Sequence, residues 1–212
     1  MCIRDRWKTV RTWAVANGYD MRVGAGSADN HPVQMVSWYD MVKWCNAKSE
    51  KEGLTPYFTM NDATYRTGED VPGTVYIRSN TAANGYRLPS VAQWEWAAWG
   101  GTLHQGYNYS GSNTVGDVAW YYDNSSGAVV DMYLGRGTWP VGQKAANELG
   151  LYDMSGNVSE WCLDDNGFGK AVQGGDWNAS ASFSYALGGL YYVDPHSRSG
   201  RYGLRLVRSI GN

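Results

Sequence analysis

Apolar positions in the first half of the chain recur at helical spacing, and three segments carry that pattern between capping signals. In the first, Trp7, Val10, Trp13 and Ala14 share one face and Asn17-Gly18 closes the segment. In the second, Ser37 opens with Asp40 at capping-box distance, Trp38, Met41, Val42 and Cys45 form the apolar stripe, and a polar run from Lys48 to Glu52 leads to Gly53. The third follows Arg87-Leu88-Pro89: Ser90 and Gln93 again have capping-box spacing, Trp94, Ala97 and Ala98 face inward, and Gly100-Gly101 ends it. Beyond Gly101 the helical period is lost. Short aromatic and aliphatic runs alternate with Asn, Asp, Ser and Gly, which predicts short strands joined by long loops. Helices first and irregular β structure afterwards predict an α+β fold, with tryptophans filling volume that regular elements leave open.

The 212 residues suit one domain. No Pro- or Ser-rich linker divides them, and no period of repeat length runs through them. The 27 glycines and 11 tryptophans are both abundant, while only 18% of residues are charged, so the chain reads as turn-rich and aromatic-rich rather than disordered. A net charge of -2 gives no electrostatic reason to expect nucleic acid. No apolar stretch approaches the roughly 18 residues that cross a bilayer, so no membrane insertion is expected. The opening Met-Cys-Ile-Arg-Asp-Arg lacks the apolar core of a signal peptide.

Few residues invite chemistry. Cys2, Cys45 and Cys162 are too few and too dispersed for a zinc site or a disulfide framework and are expected as buried free thiols, with one joined pair as the alternative. His31, His104 and His196 lie in Gly-, Asn- and Pro-rich surroundings, none at ligand spacing from another, and are expected at the surface or in turns. Without a Gly-x-Ser-x-Gly elbow, nothing supports hydrolase chemistry.

Five phrases occur in a telling order: Pro32-Val33 with Val36-Ser37-Trp38; Gly85-Tyr86-Arg87-Leu88-Pro89 with Trp94-Glu95; the run from Asn147 through Leu149-Gly150-Leu151-Tyr152-Asp153-Met154-Ser155-Gly156 to Asn157; Glu160-Trp161; and Gly174-Gly175 followed later by Gly203-Leu204-Arg205. Over most of residues 7–208 the chain resembles the formylglycine-generating enzyme, or sulfatase-modifying factor, family. The resemblance implies a C-type-lectin-like fold with little regular secondary structure. Family members usually place a strand with Glu-Val-Thr before the first helix, whereas this chain starts almost at that helix. Residues 1–6 are therefore expected to be an atypical, truncated or spurious start, with 7–212 as the domain.

The family's oxidase chemistry uses two cysteines that bind Cu(I) shortly after a Gly-Gly-Ser phrase. Aligned from Gly174-Gly175, those positions are Ala179 and Ser184. Alanine has no ligand atom and a serine hydroxyl is hard and protonated, so neither replaces a thiolate, and no copper is expected. A related sulfoxide-synthase branch needs an iron-binding histidine bundle from a further domain, which this sequence lacks. The third helix departs from the family too: Ser90-Val91-Ala92-Gln93-Trp94-Glu95 and Trp99-Gly100-Gly101 stand where the family often reads Thr-Glu-Ala-Glu-Trp-Glu and Arg-Gly-Gly. The departure leaves Trp99 in need of cover.

Two further features follow from the resemblance. Gly156-Asn157-Val158-Ser159-Glu160-Trp161 resembles the segment where the family binds structural Ca2+, with Asn157 and Glu160 as oxygen ligands; the alternative is a turn in which Asn157 takes a left-handed conformation and Glu160 is solvated. Asp117, Asp123 and Asn124 are candidates for a second site. The segment from Asn178 to Tyr202 contains no Lys, Glu, Gln, Met, Trp, Cys, Ile or Thr. Its Tyr, Ser and Gly suit a recognition surface. With Ala181, Pro195, Arg198 and Gly203-Leu204-Arg205 as framework, it resembles the variable proteins of diversity-generating retroelements; an ordinary family loop is the alternative.

The expected function is a non-catalytic lectin-like module whose Asn178, Ser180, Ser182, Tyr185, Tyr191, Tyr192, His196, Arg201 and Tyr202 meet a protein or glycan ligand in a secreted, cell-surface or phage-associated setting. Trp177, Ala181, Leu187, Leu204 and Leu206 are expected to be the buried framework. The alternatives are a formylglycine-generating oxidase and a structural domain of a larger surface or phage-tail protein.

Overall fold

The computed structural model describes residues 1–69, 76–127 and 135–209. The chain forms α1 (Arg4–Ala16), α2 (Trp38–Lys51), β1 (Phe58–Met60), β2 (Ala63–Thr64), β3 (Arg78–Ser79), β4 (Tyr86–Arg87), α3 (Val91–Ala98) and the short α4 (Val115–Val118). There follow β5 (Ala119–Trp120), β6 (Ser155–Gly156), β7 (Ser159–Asp165), β8 (Lys170–Gln173), β9 (Tyr191–Val193), β10 (Tyr202–Gly203) and β11 (Val207–Arg208). This is an α+β, C-type-lectin-like fold.

The three expected helices form, α2 and α3 starting at the caps the sequence shows. Ser37 and Asp40 make a reciprocal capping box for α2, and Ser90 with Gln93 makes one for α3. Helix α1 starts at Arg4, ahead of Trp7, and the residues before it are tied to the domain: Cys2 is buried, donates its N–H to Leu204 and accepts from Val33.

Helix α2 is buried much more completely than its stripe predicts. Asp40, Lys43, Asn46 and Ser49 lie inside with Trp38, Met41 and Trp44. Each polar side chain has a partner: Lys43 pairs with Asp20, and Asn46 brackets β1 by accepting from Phe58 N–H at 3.0 Å and donating to Phe58 O at 2.7 Å. Trp7 of α1 stacks on Trp44 with ring centroids 5.8 Å apart. His31 corrects the surface expectation: it is buried, with Nδ1 at 3.1 Å from the Thr138 hydroxyl. Trp99, which replaces a family arginine, is covered by His104 at 3.6 Å between rings.

The largest sheet has the order β10-β7-β8-β9. β7 and β8 are antiparallel with Trp161 opposite Val172, β9 continues antiparallel on β8 with Tyr192 opposite Ala171, and β10 joins β7 in parallel. Among the described residues β9 is therefore an outer strand of this sheet.

Candidate recognition surface

The segment after Gly174-Gly175 is held at both ends and along its length by main-chain groups. Ala179 O accepts from Tyr122 N–H and Ala186 N–H donates to Asn108 O. Further on, Pro195 O accepts from Trp38, Ser199 O from Met35 and Arg201 O from Ser159, while the Trp177 indole donates to Gly200 O at 2.9 Å. Gly175 has φ of +70°, and a Cβ there would lie 2.7 Å from Phe183 O, so glycine is what lets the returning chain approach. Arg198 reaches back to the buried Asp40 at 3.4 Å and to Glu69, locking the segment to the start of α2.

The expected contact residues divide into two sets. Asn178, Ser180, Ser182, Tyr185 and Tyr192 are exposed. Tyr185 also stacks on Tyr109 with centroids 5.0 Å apart. Tyr191 and Tyr202 are half-buried instead: the Tyr191 hydroxyl donates to Ser159 at 3.0 Å, Tyr202 packs edge-on against Trp161, and burial raises the pKa of both. Arg201 donates Nε to the fully buried Asp176 at 2.9 Å. His196 is half-buried, close to Asp194 and against Tyr39. Of the expected framework, Trp177 and Leu204 are buried and Ala181 and Leu206 half-buried, but Leu187 is 56% exposed, because it stands at the turn before Gly188-Gly189.

Ala179 and Ser184 are both buried, and the Ser184 hydroxyl meets no hydrogen-bond partner among the described residues. The three thiols are buried and not joined in a disulfide, with burial pushing Cys2 up to about 12 and raising Cys45 and Cys162 as well. A thiol so protonated is neither nucleophile nor soft ligand.

Asn157 does take the left-handed conformation, with φ of +68°. Its amide bridges the backbone of Trp139, accepting from N–H and donating to O at 3.1 Å each. Glu160 is not solvated: Oε2 accepts from the Trp94 indole at 2.7 Å and from Arg205 Nε at 2.9 Å. The carboxylate charge is met by a guanidinium, and Glu160 Oε1 is its single unpartnered oxygen. Calcium takes six to eight oxygens, so a site here would draw on backbone carbonyls besides these two side chains, each of which already has a partner within the protein. Asn124 is likewise spent on the turn at Tyr121, and Asp117 accepts from Ser112.

A second feature was not legible from composition. A groove of about 460 Å³ opens at the end of the β8–β9 pair, lined by Trp38, Tyr39, Tyr76, Ile77, Phe168 and His196 among others. Phe168 is 94% exposed at the tip of the β7–β8 hairpin. The signal was there in the sequence: an aromatic between Gly167 and Gly169, in a turn where nothing requires one.

Fold and sequence together define a formylglycine-generating-enzyme-like domain. Residues 2–210 match the sulfatase-modifying factor enzyme 1-like domain, and the chain belongs to that family. It is 40% identical over 207 residues to a chaperone protein, LppX, of Paenibacillus barcinonensis, covering 85% of this chain and 71% of that one. Among solved structures, CarF superposes with a TM-score of 0.84 at 30% identity, covering 99% of this chain and 84% of that one. Treponema denticola variable protein 1 superposes with 0.72 at 27% identity, covering 96% and 80%.

Proposed function

We propose that this chain is a non-catalytic binding module that presents the face from Asn178 to Tyr202 to a polypeptide ligand. One observation carries the reading: from Asn178 to Val193 there is no charged residue, yet Phe183, Tyr185, Leu187, Leu190 and Tyr192 are all exposed. Exposed apolar surface of that density marks an interaction site, and rigid tyrosines give contact area at low entropic cost. Support for a polypeptide comes from the relative named as a chaperone protein, and support for a surface that accepts sequence change comes from the variable-protein likeness. Ala179 and Ser184 argue against copper-dependent oxidation.

The test uses reduced, carboxymethylated α-lactalbumin, a chain held unfolded, as the probe in calorimetry. The wild-type domain binds it, and Tyr185→Ser with Tyr192→Ser weakens binding by about 2 kcal/mol. Absence of binding to this probe, with binding to a glycan array instead, moves the ligand class. Formylglycine produced on a cysteine peptide overturns the non-catalytic reading.

A further inference from the structure

We propose that the ligand polypeptide binds in extended form as a fifth strand on the outer edge of β9, and seats an apolar side chain in the groove between Tyr76 and Phe168. The inference rests on the polypeptide-binding reading above and specifies how the chain is held.

Edge strands expose unpaired backbone groups that only another extended backbone can satisfy in register. β9 pairs with β8 alone, and among the described residues no other backbone hydrogen bond reaches Leu190 to Val193. Proteins usually guard such an edge with a lysine, another charge or a proline. Here nothing between Asp176 and Asp194 is charged, and the first proline is Pro195, beyond the strand's end. Among the described residues the edge is left open, and Tyr192 in its middle is 40% exposed.

The groove begins where that edge ends. Asp194, Pro195 and His196 directly follow β9, while Gly167 to Lys170 lead into β8, so a strand laid along β9 runs onto the groove. Its walls carry Tyr76 and Phe168, 70% and 94% exposed, whose rings offer apolar surface to an incoming side chain. The volume lies within the range of ligand pockets. Charge adds selectivity. Lys170 is committed to Asp165 at 2.9 Å and lies over Trp38, whereas Asp194, whose side chain is 68% exposed, has only His196 beside it, accepting from its N–H at 2.9 Å and lying 3.0 Å from its ring, and is the acid at the rim without a lysine or arginine. The complementary partner is therefore an uncharged, apolar stretch with a basic residue at the end that meets Asp194.

Short overlapping peptides tiled along α-lactalbumin serve as probes against the full chain, read by fluorescence anisotropy. The tightest is then remade with single backbone N-methyl groups and with its basic residue changed to Glu. N-methylation at alternate positions weakens binding about tenfold or more while the positions between them are tolerated, and the Glu peptide also binds about tenfold worse. Phe168→Ala, at an exposed position outside the core, weakens binding to a similar degree without moving Tm. Bound peptide slows amide exchange at residues 190–193. Binding that ignores every N-methyl group and Phe168→Ala, yet is lost in Tyr185→Ser, overturns strand addition and leaves the binding reading standing. Self-association through β9 in light scattering, suppressed by Tyr192→Lys, overturns it in favour of a second copy. Failure of every peptide to bind, with failure of the intact unfolded probe, removes both.

Discussion

Arg205 and Glu160 meet inside the protein, Nε to Oε2 at 2.9 Å, with the Trp94 indole donating to the same oxygen. The pair joins the strand that precedes the glutamate's sheet partners to the Gly203-Leu204-Arg205 phrase near the chain's end. Taking away one partner of a buried pair leaves the other uncompensated, so Arg205→Ala costs about 3–5 kcal/mol in a urea melt. Glu160→Gln in the same background restores part of that loss.

The same pairing bears on calcium. A micromolar site would add about 4 kcal/mol at millimolar calcium. With Glu160 met by Arg205 and Asn157 tied to Trp139, the expected outcome is an unchanged melting curve with calcium and with chelator.

Anchor and display residues respond differently to truncation. Trp177, 5% exposed and bonded to Gly200, loses about 3–5 kcal/mol on change to Ala. Tyr192→Ser stays within about 0.5 kcal/mol, as surface substitutions usually do. Thermal melts of the two variants check both.

The three thiols give a direct probe of packing. At mildly alkaline pH none reacts with a disulfide reagent in the native protein, because burial raises all three well above the ordinary thiol value, and all three react in denaturant. Reaction of a native thiol within minutes contradicts this packing.

Burial holds His31 below its ordinary value of 6.5. The unfolded chain then binds a proton first as pH falls, so stability rises with pH across this window. It is full above about 6.5 and declines as pH drops toward the lower folded value. Tm measured from neutral to mildly acid pH shows the decline, and His31→Gln flattens it.

How far the sequence could be read depended on how local the causes were. The caps of α2 and α3 were legible because Ser37 with Asp40 and Ser90 with Gln93 act within one turn. Burial of Lys43 was not, since Asp20 comes from a distant loop and no helical period announces it. His31 was misplaced for the same reason: Thr138, its partner, is remote in sequence. In the candidate site the exposed tyrosines at Tyr185 and Tyr192 could be anticipated from composition, whereas Tyr191 and Tyr202 could not be told from them. Alternation along β9 and the nearness of Trp161, both set by sheet register, turn those two rings inward.

The ties that hold the segment after Gly175 fall mostly on its carbonyls and amides: Ala179, Ala186, Pro195, Ser199, Gly200 and Arg201 are gripped by their main chain. Such a grip does not read side-chain identity. The exposed positions between the ties, Asn178, Ser180, Ser182, Tyr185, Leu187 and Tyr192, can be rewritten together with the backbone course retained, so the domain is suited to serve as a frame for combinatorial libraries in which affinity is selected separately from folding.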